Sequence, residues 1–150
     1  IQSICDIELK TDSVFSLEIE TNERYLEHIF VSSDSNNLRI RDDNEKTSLA
    51  SYPRPKLRIS FPRLDDSFLI AVPVQMTSLD TLHLHKFIIT SLGKTADVDL
   101  LLNVNIFQIA TGSDNYGGYL FKGRAKNVRF WPRGSSIMEA SELSSDTCYV

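Results

Sequence analysis

Several groups of side chains in this sequence are of types that do chemistry. His83 and His85 stand two apart, so on a strand both face one way. Such a pair could begin a metal site, but it needs at least one more ligand from elsewhere in the chain. With Leu82 and Leu84 alternating as inward residues, the histidines are expected to face solvent, and no metal site is expected. Asp97 and Asp99 in ADVDL alternate in the same way, and Asp65 and Asp66 add acid nearby. Paired carboxylates can hold Ca²⁺ or act as acid and base on a polysaccharide. A lyase of that kind also needs a basic residue facing the acid, and the sequence identifies none. A solvated acidic face is therefore expected. Arg124, Lys126, Arg129 and Arg133 crowd one short stretch beside Trp131, Tyr116 and Tyr119. Arginine forks grip carboxylates and sulfates, and aromatic faces stack on sugars. Set against a plain solubilising surface, this is the best ligand-binding candidate in the chain, with Trp131, Arg129, Arg133 and Tyr116 as its residues.

Other chemistries find no foothold. There is no Ser/His/Asp order, dinucleotide fingerprint or P-loop. GSDNYGG at 112–118 is glycine-rich, but no helix follows it, so it is not a phosphate cradle. No cofactor is expected. The two cysteines, Cys5 and Cys148, are too few for metal-ligand spacing. A disulfide between them would close almost the whole chain and stabilise it by roughly 5 kcal/mol at most. Burial of Cys148 as a small apolar residue is the preferred expectation. The net charge of −4 disfavours a nucleic-acid partner. No run approaches the length of a membrane-spanning helix. The chain begins at Ile1, and IQSIC has no basic segment leading into an apolar one. This is read as a processed or artificial N-terminus.

The elements that must position these residues are strands. With 150 residues the chain suffices for one domain with a core of its own. Helical periodicity is nearly absent. NERYLEHIF offers the best helical turn, while β-branched and aromatic residues alternate elsewhere. VFSLEIE sets Phe15, Leu17 and Ile19 on one face. SSDSNNLRIR reads as a turn and a strand with Leu38 and Ile40 inward. Residues 42–55 read as a loop. Pro62 and Pro73 sit near strand ends, where a missing N–H is tolerated.

From residue 68 onward the pattern becomes periodic. Phe87 and Ile89 precede TSLG, Phe107 and Ile109 precede ATG, Val128 and Phe130 precede WPRG, and Cys148 and Val150 follow. The steps are 20, 21 and 20 residues, and Phe68 and Ile70 lie 19 before the first pair. Leu100 and Leu120, also 20 apart, hint at a second strand per repeat. A unit this short cannot bury its own apolar stripe, whereas stacked units place like residues over like. Gly93, Gly112 and Gly134 would supply corners with positive φ. The outward positions between the pairs are Ile88, Gln108, Arg129 and Tyr149. The expected fold is all-β: a parallel β-helix (β-solenoid) with rungs of about 20 residues. Residues 57–150 form its rungs, and 1–56 a strand-rich lead-in of antiparallel strands that leads into or covers the first rung. An antiparallel sandwich is the alternative.

The stretch from RISFP to DTCYV resembles the putative auto-transporter adhesin, head GIN domain family, a bacterial domain of unknown function. The resemblance rests on the recurring strand-and-corner, on GRA at 123–125, and on the corners Gly112-Ser113 and Gly134-Ser135. FSLEIETNERYLEHIFVSSDSNNLRI resembles the family's lead-in. The resemblance implies a right-handed β-helix and an extracytoplasmic setting, usually a Gram-negative envelope, and it brings no catalytic residues. SLGKT departs from the pattern by lacking the Gly-Ser pair. The sequence also stops on a strand where the family continues into another glycine corner, so a cap, a partner chain or further residues are expected there. The functional expectation is a non-enzymatic adhesion, binding or scaffolding module. Its partner would be a glycan or an envelope protein, with homo-oligomers forming through the open terminal rung. The alternative is a carbohydrate-active β-helix enzyme, a polysaccharide lyase or hydrolase.

Overall fold

A computed structural model of the protein describes residues 5–33, 38–42, 54–62, 65–70, 74–92 and 95–150. The N-terminal part contains β1 (Cys5–Thr11), β2 (Ser16–Glu20), the single-turn helix α1 (Glu23–Leu26), β3 (Ile29–Ser33) and β4 (Leu38–Asp42). There follow β5 (Lys56–Phe61), β6 (Asp65–Ile70), β7 (Val74–Ser78), β8 (Leu82–Ser91), β9 (Ala96–Thr111), β10 (Gly118–Trp131) and β11 (Ile137–Tyr149). The chain winds into a β-solenoid of about four turns. The helical turn falls within NERYLEHIF, capped by the Asn22 side chain, which accepts from the Arg24 N–H at 3.0 Å.

Stacking is parallel and in register. Phe87 lies beside Phe107, Phe107 beside Val128, and Val128 beside Cys148. Ile89, Ile109 and Phe130 form the adjoining column. The inward side chains of β8 to β10 are buried apart from the half-buried Phe130, and Phe107 is 0% exposed. Its ring stacks on Phe87 at 6.3 Å and meets Phe121 and Phe130 edge-on at 4.7 and 6.2 Å. A column of this kind forms because each apolar residue alone cannot leave water; only the next coil can cover it.

The alternation slips once per coil, always at the same place. In β9 the buried positions run Ala96, Val98, Leu100, Leu102, Val104 and then resume at Phe107 and Ile109. β8 slips between Leu84 and Phe87, and β10 between Ala125 and Val128. The ladders skip His85, Asn105, Lys126 and Asp146, so the slips themselves stack into a bend. Gly123 marks a second irregularity. Its φ of 98° lies where side chains are strained, and a Cβ there would collide with the Leu102 carbonyl oxygen.

Several expectations are corrected. The corner glycines are not alike: Gly134 has φ 75°, Gly112 does not have positive φ, and Gly93 lies outside the described residues, as do Pro73 and most of 42–55. Phe68 stands beside Ile89 and Ile70 beside Ser91, one inward position further on than the spacing suggested. Leu100 pairs with Phe121, whereas Leu120 sits outward beside Asp99. A one-residue error of register exchanges the two faces. The N-terminal segment is not only a lead-in. β2 does pair antiparallel with β5, and β3 pairs antiparallel with β4. β1, however, runs parallel between β5 and β7, with Ile7 beside both Leu57 and Met76. It is a structural strand of the wall, and Cys5, Ile7 and Leu9 are all fully buried. Ile40 of β4 is buried in the same continuous core.

Cys148 is exposed, although its register with Val128 is as expected. Among the described residues β11 has a neighbour on one side only, so its inward side chains lack a covering coil. No disulfide joins Cys148 to Cys5.

Candidate ligand-binding face

The C-terminal half of β10 is fixed by Val128 and Phe130, which pack inward beside Phe107 and Ile109. Strand alternation then forces Arg129 and Trp131 outward. Trp131 keeps 49% of its surface exposed, a large apolar area for a residue that could have been buried. The Arg129 guanidinium lies 5.8 Å from the ring centre of Tyr149 in the next coil, within cation–π range. Tyr149, an outward position in the sequence, joins this face. The signal was present, because it follows Arg129 by 20 residues and the coils repeat at that interval.

Beyond Pro132 the chain turns its corner. The Arg133 N–H donates to Thr111 Oγ1 at 2.7 Å, and that hydroxyl donates to the Arg133 carbonyl at 2.8 Å. Ser135 N–H donates to the Asn115 carbonyl at 2.9 Å, and Ile137 N–H to that of Gly117 at 3.0 Å. These bonds clamp the corner of one coil onto the loop of the preceding coil, which carries exposed Tyr116. Arg129 and Trp131 therefore share one wall, while Arg133 and Tyr116 occupy the stacked corners beyond it. Among the described residues, neither Arg129 nor Arg133 is engaged in an ion pair. Lys126 is exposed on the bend. Arg124 is turned toward Asp146 at 3.6 Å.

Tyr119 does not belong to this face. It is 2% exposed, and its hydroxyl donates to Asn115 Oδ1 at 3.0 Å. Burial pushes its phenol above the ordinary value; the hydrogen bonds with Ser91 and Asn115 pull the other way without offsetting it, and the nearby Asp97 charge adds to the rise. Asn115 also bonds Ser91 Oγ through Nδ2, so this polar cluster holds a corner together.

His83 and His85 face solvent as expected. Their Nδ1 atoms lie 3.2 and 2.9 Å from the amide nitrogens of Asn103 and Asn105 in the next coil. Asp97 and Asp99 are also exposed. Asp97 Oδ1 accepts from the Gly118 N–H at 3.1 Å, and Asp99 lies 3.8 Å from Lys122. They border a shallow depression of about 230 Å³ that Gly118 also lines. His83 stands in the Asn103 column, apart from the Asp99 column. Among the described residues no three His, Cys, Asp or Glu side chains are placed to hold a metal ion. The side chains of Asp65 and Asp66 lie outside the described set.

The fold is a β-solenoid whose outer walls carry exposed basic and aromatic side chains. The chain belongs to the putative auto-transporter adhesin, head GIN domain family, whose model matches residues 1–150. Two solved structures are similar to it. One is a putative lipid binding protein from Parabacteroides distasonis ATCC 8503, at 13% identity and a TM-score of 0.51, covering 97% of this chain and 69% of its own. The other is a putative adhesin from Bacteroides fragilis NCTC 9343, at 11% identity and a TM-score of 0.45, covering 99% of this chain and 88% of its own. At 13% identity the likeness to the first of these speaks to the fold alone. No curated protein sequence matches the chain. Among the described residues no helix is long and apolar enough to cross a membrane.

Proposed function

We propose that this domain is a non-enzymatic binding module that works outside the cytoplasm, on a bacterial envelope, and holds an anionic glycan against Arg129, Trp131 and Tyr149. One observation carries the reading: a guanidinium 5.8 Å from the centre of an aromatic ring, two residues along the strand from a half-exposed indole. The Arg129 fork can meet a carboxylate or sulfate through its N–H groups. Trp131 offers a flat face to a sugar ring. Arg133 and Tyr116 extend the surface around the corner. The adhesin family supports an extracellular or envelope setting. Scaffolding of another envelope protein would use the same rigid walls.

The test is a glycan array probed with the purified protein, with and without Ca²⁺. Sulfated or uronate-containing glycans should bind. Trp131→Ala and Arg129→Ala should each weaken binding by about tenfold or more, as central aromatic and arginine contacts do, without changing the melting temperature. Absence of binding to any acidic glycan, or binding indifferent to both substitutions, would overturn the reading. Bound glycan recovered in shortened form would instead favour a carbohydrate-active enzyme, with the approach of Asp99 to Lys122 as its starting point.

A further inference from the structure

Lys122, Arg124, Lys126, Arg129 and Arg133 all lie between Asp114 and Glu139, and no acidic residue stands between those two. The first four belong to β10, which is paired on both sides, by β9 and by β11. Its outward side chains therefore form the middle of a wall. Lys122 is engaged, 3.8 Å from Asp99 and in register with Glu142. Arg124, Lys126 and Arg129 are exposed and follow the strand across the bend, with exposed Trp131 two residues further on. The flanking strands leave this row largely unneutralised. Alongside it, residues 103–111 of β9 carry no charge, and Asn103, Asn105 and Gln108 present amides. On the other side, residues 144–149 of β11 contribute a single acid, Asp146. Asp146 lies 3.6 Å from Arg124, and each of these side chains keeps 62% of its surface exposed. An ion pair that open contributes little and exchanges readily for another anion. The amide nitrogens of Asn103 and Asn105 are turned to His83 and His85, at 3.2 and 2.9 Å. Their carbonyl oxygens remain to accept from hydroxyl groups.

We infer that the outward face of β10 is a track for a linear polyanionic glycan, which runs along the strand from Trp131 across the bend to Arg124 and sets its acid groups on Arg129, Lys126 and Arg124. The inference rests on the glycan reading above and narrows it: the ligand is the interior of a repeating acidic polymer, not one acidic sugar at a chain end. Arg129 and Trp131 are about 7 Å apart along the strand, within reach of one or two sugars, whereas Arg124 is about 17 Å of strand from Arg129. Only a chain of several acidic sugars meets both. Each exposed cation adds a weak contact, and linking the contacts on one polymer makes their sum useful. The β9 amides alongside suit sugar hydroxyls. Single-stranded nucleic acid fits less well, because it is held by aromatic rings under successive bases. Trp131 is the one large aromatic side chain that β10 leaves exposed.

The probes are heparin oligosaccharides of two, four, six and eight sugars, titrated into the whole chain by calorimetry at low and at physiological salt. Affinity should rise with length until the oligosaccharide reaches Arg124 and then level off, and the longer probes should show the steeper salt dependence. The double variant Arg124→Gln, Lys126→Gln should weaken the longest probe about tenfold and the shortest by less than about twofold. Both side chains are exposed, so the melting temperature should hold. Asp146→Asn releases Arg124 and should strengthen the longest probe by about twofold. Affinity independent of length, or a double variant that costs both lengths equally, would overturn the track and leave the reading of Arg129 and Trp131 in place. Absence of binding at every length would overturn both. Equal affinity for an oligothymidylate of matched charge would overturn the track in favour of a nucleic-acid groove.

Discussion

Phe107→Ala is the substitution that tests the stacked core most directly. The ring is wholly excluded from water and touches three other aromatic rings, at 6.3, 4.7 and 6.2 Å. Truncating a buried phenylalanine costs about 3–5 kcal/mol through lost transfer energy and the cavity left behind. Each aromatic pair adds about 0.5–1.5 kcal/mol beyond area. The expected loss is therefore near the top of that range, about 5 kcal/mol. A domain of this size has about 5–15 kcal/mol in all, so a third or more of its stability should go. With an m-value of about 2 kcal/mol/M in urea, the unfolding midpoint should fall by more than about 2 M, and at the low end of stability the protein would not fold. Phe107→Leu keeps most of the volume and should lose distinctly less, which keeps the comparison measurable. Trp131→Ala, on the outer wall of the same coil system, should shift the midpoint by less than about 0.5 M. Urea denaturation followed by circular dichroism reads all three. A loss below about 1.5 kcal/mol for Phe107→Ala, or losses equal to that of Trp131→Ala, would refute the inward column.

Glycines make a sharper contrast, because sequence alone groups them and the backbone separates them. Gly123→Ala meets both a φ of 98° and the Leu102 carbonyl, and should cost about 2–4 kcal/mol by thermal denaturation. Gly112→Ala, whose new Cβ would find its nearest neighbour at 3.6 Å, should change stability by less than about 1 kcal/mol. A pH experiment addresses the wall formed by β1, β5 and β2. Glu8 bonds Arg58 at 3.0 Å and lies 3.2 Å from Lys56, and Arg58 also reaches Glu18 at 3.1 Å. Burial alone would raise the Glu8 carboxyl, but the hydrogen bonds and charges of Lys56 and Arg58 together hold it below the usual carboxylate range. Its folded-state value is thus depressed, so its contribution is present above the unfolded value of about 4.3 and is lost as pH falls through the folded value. The melting temperature of Glu8→Gln should lie below that of the parent at pH 7 and converge with it in acid. Parallel curves would remove the role given to this pair of cations.

The inward columns were legible in the sequence for a physical reason. Phe87, Phe107 and Val128 must be apolar because each is covered by the next, so the constraint recurs at every coil. Nothing comparable announces β1. Ile7 pairs with Leu57 and with Met76, contacts made across long sequence separations by a segment that could serve equally well in many sheets. Cys148 holds the expected register and is exposed nonetheless, because burial depends on a coil above as well as a coil below. Tyr119 stands close in sequence to the surface patch but not on it. The strand begins at Gly118, and Tyr119 enters the wall beside Val98. The bend passing through His85, Asn105, Lys126 and Asp146 is not legible in the sequence, because its constraint is geometric and several polar side chains satisfy it equally.

The same asymmetry explains why shape could be read further than function. An inward column is held to one chemistry, while an outward column is free to change at each coil. Ile88, Gln108, Arg129 and Tyr149 are one such column, in register throughout, yet aliphatic, amide, cationic and aromatic in turn. Periodicity therefore identifies these positions as outward and says nothing of what they hold. What singles out Arg129 is contact between coils. Its guanidinium lies over the ring one coil further on, with an exposed indole beside it on its own strand, while Gln108 and Ile88 in the coils before it offer neither charge nor ring. A surface patch on a solenoid wall is thus a property of neighbouring columns read together, and it becomes visible only when the register is known to the residue.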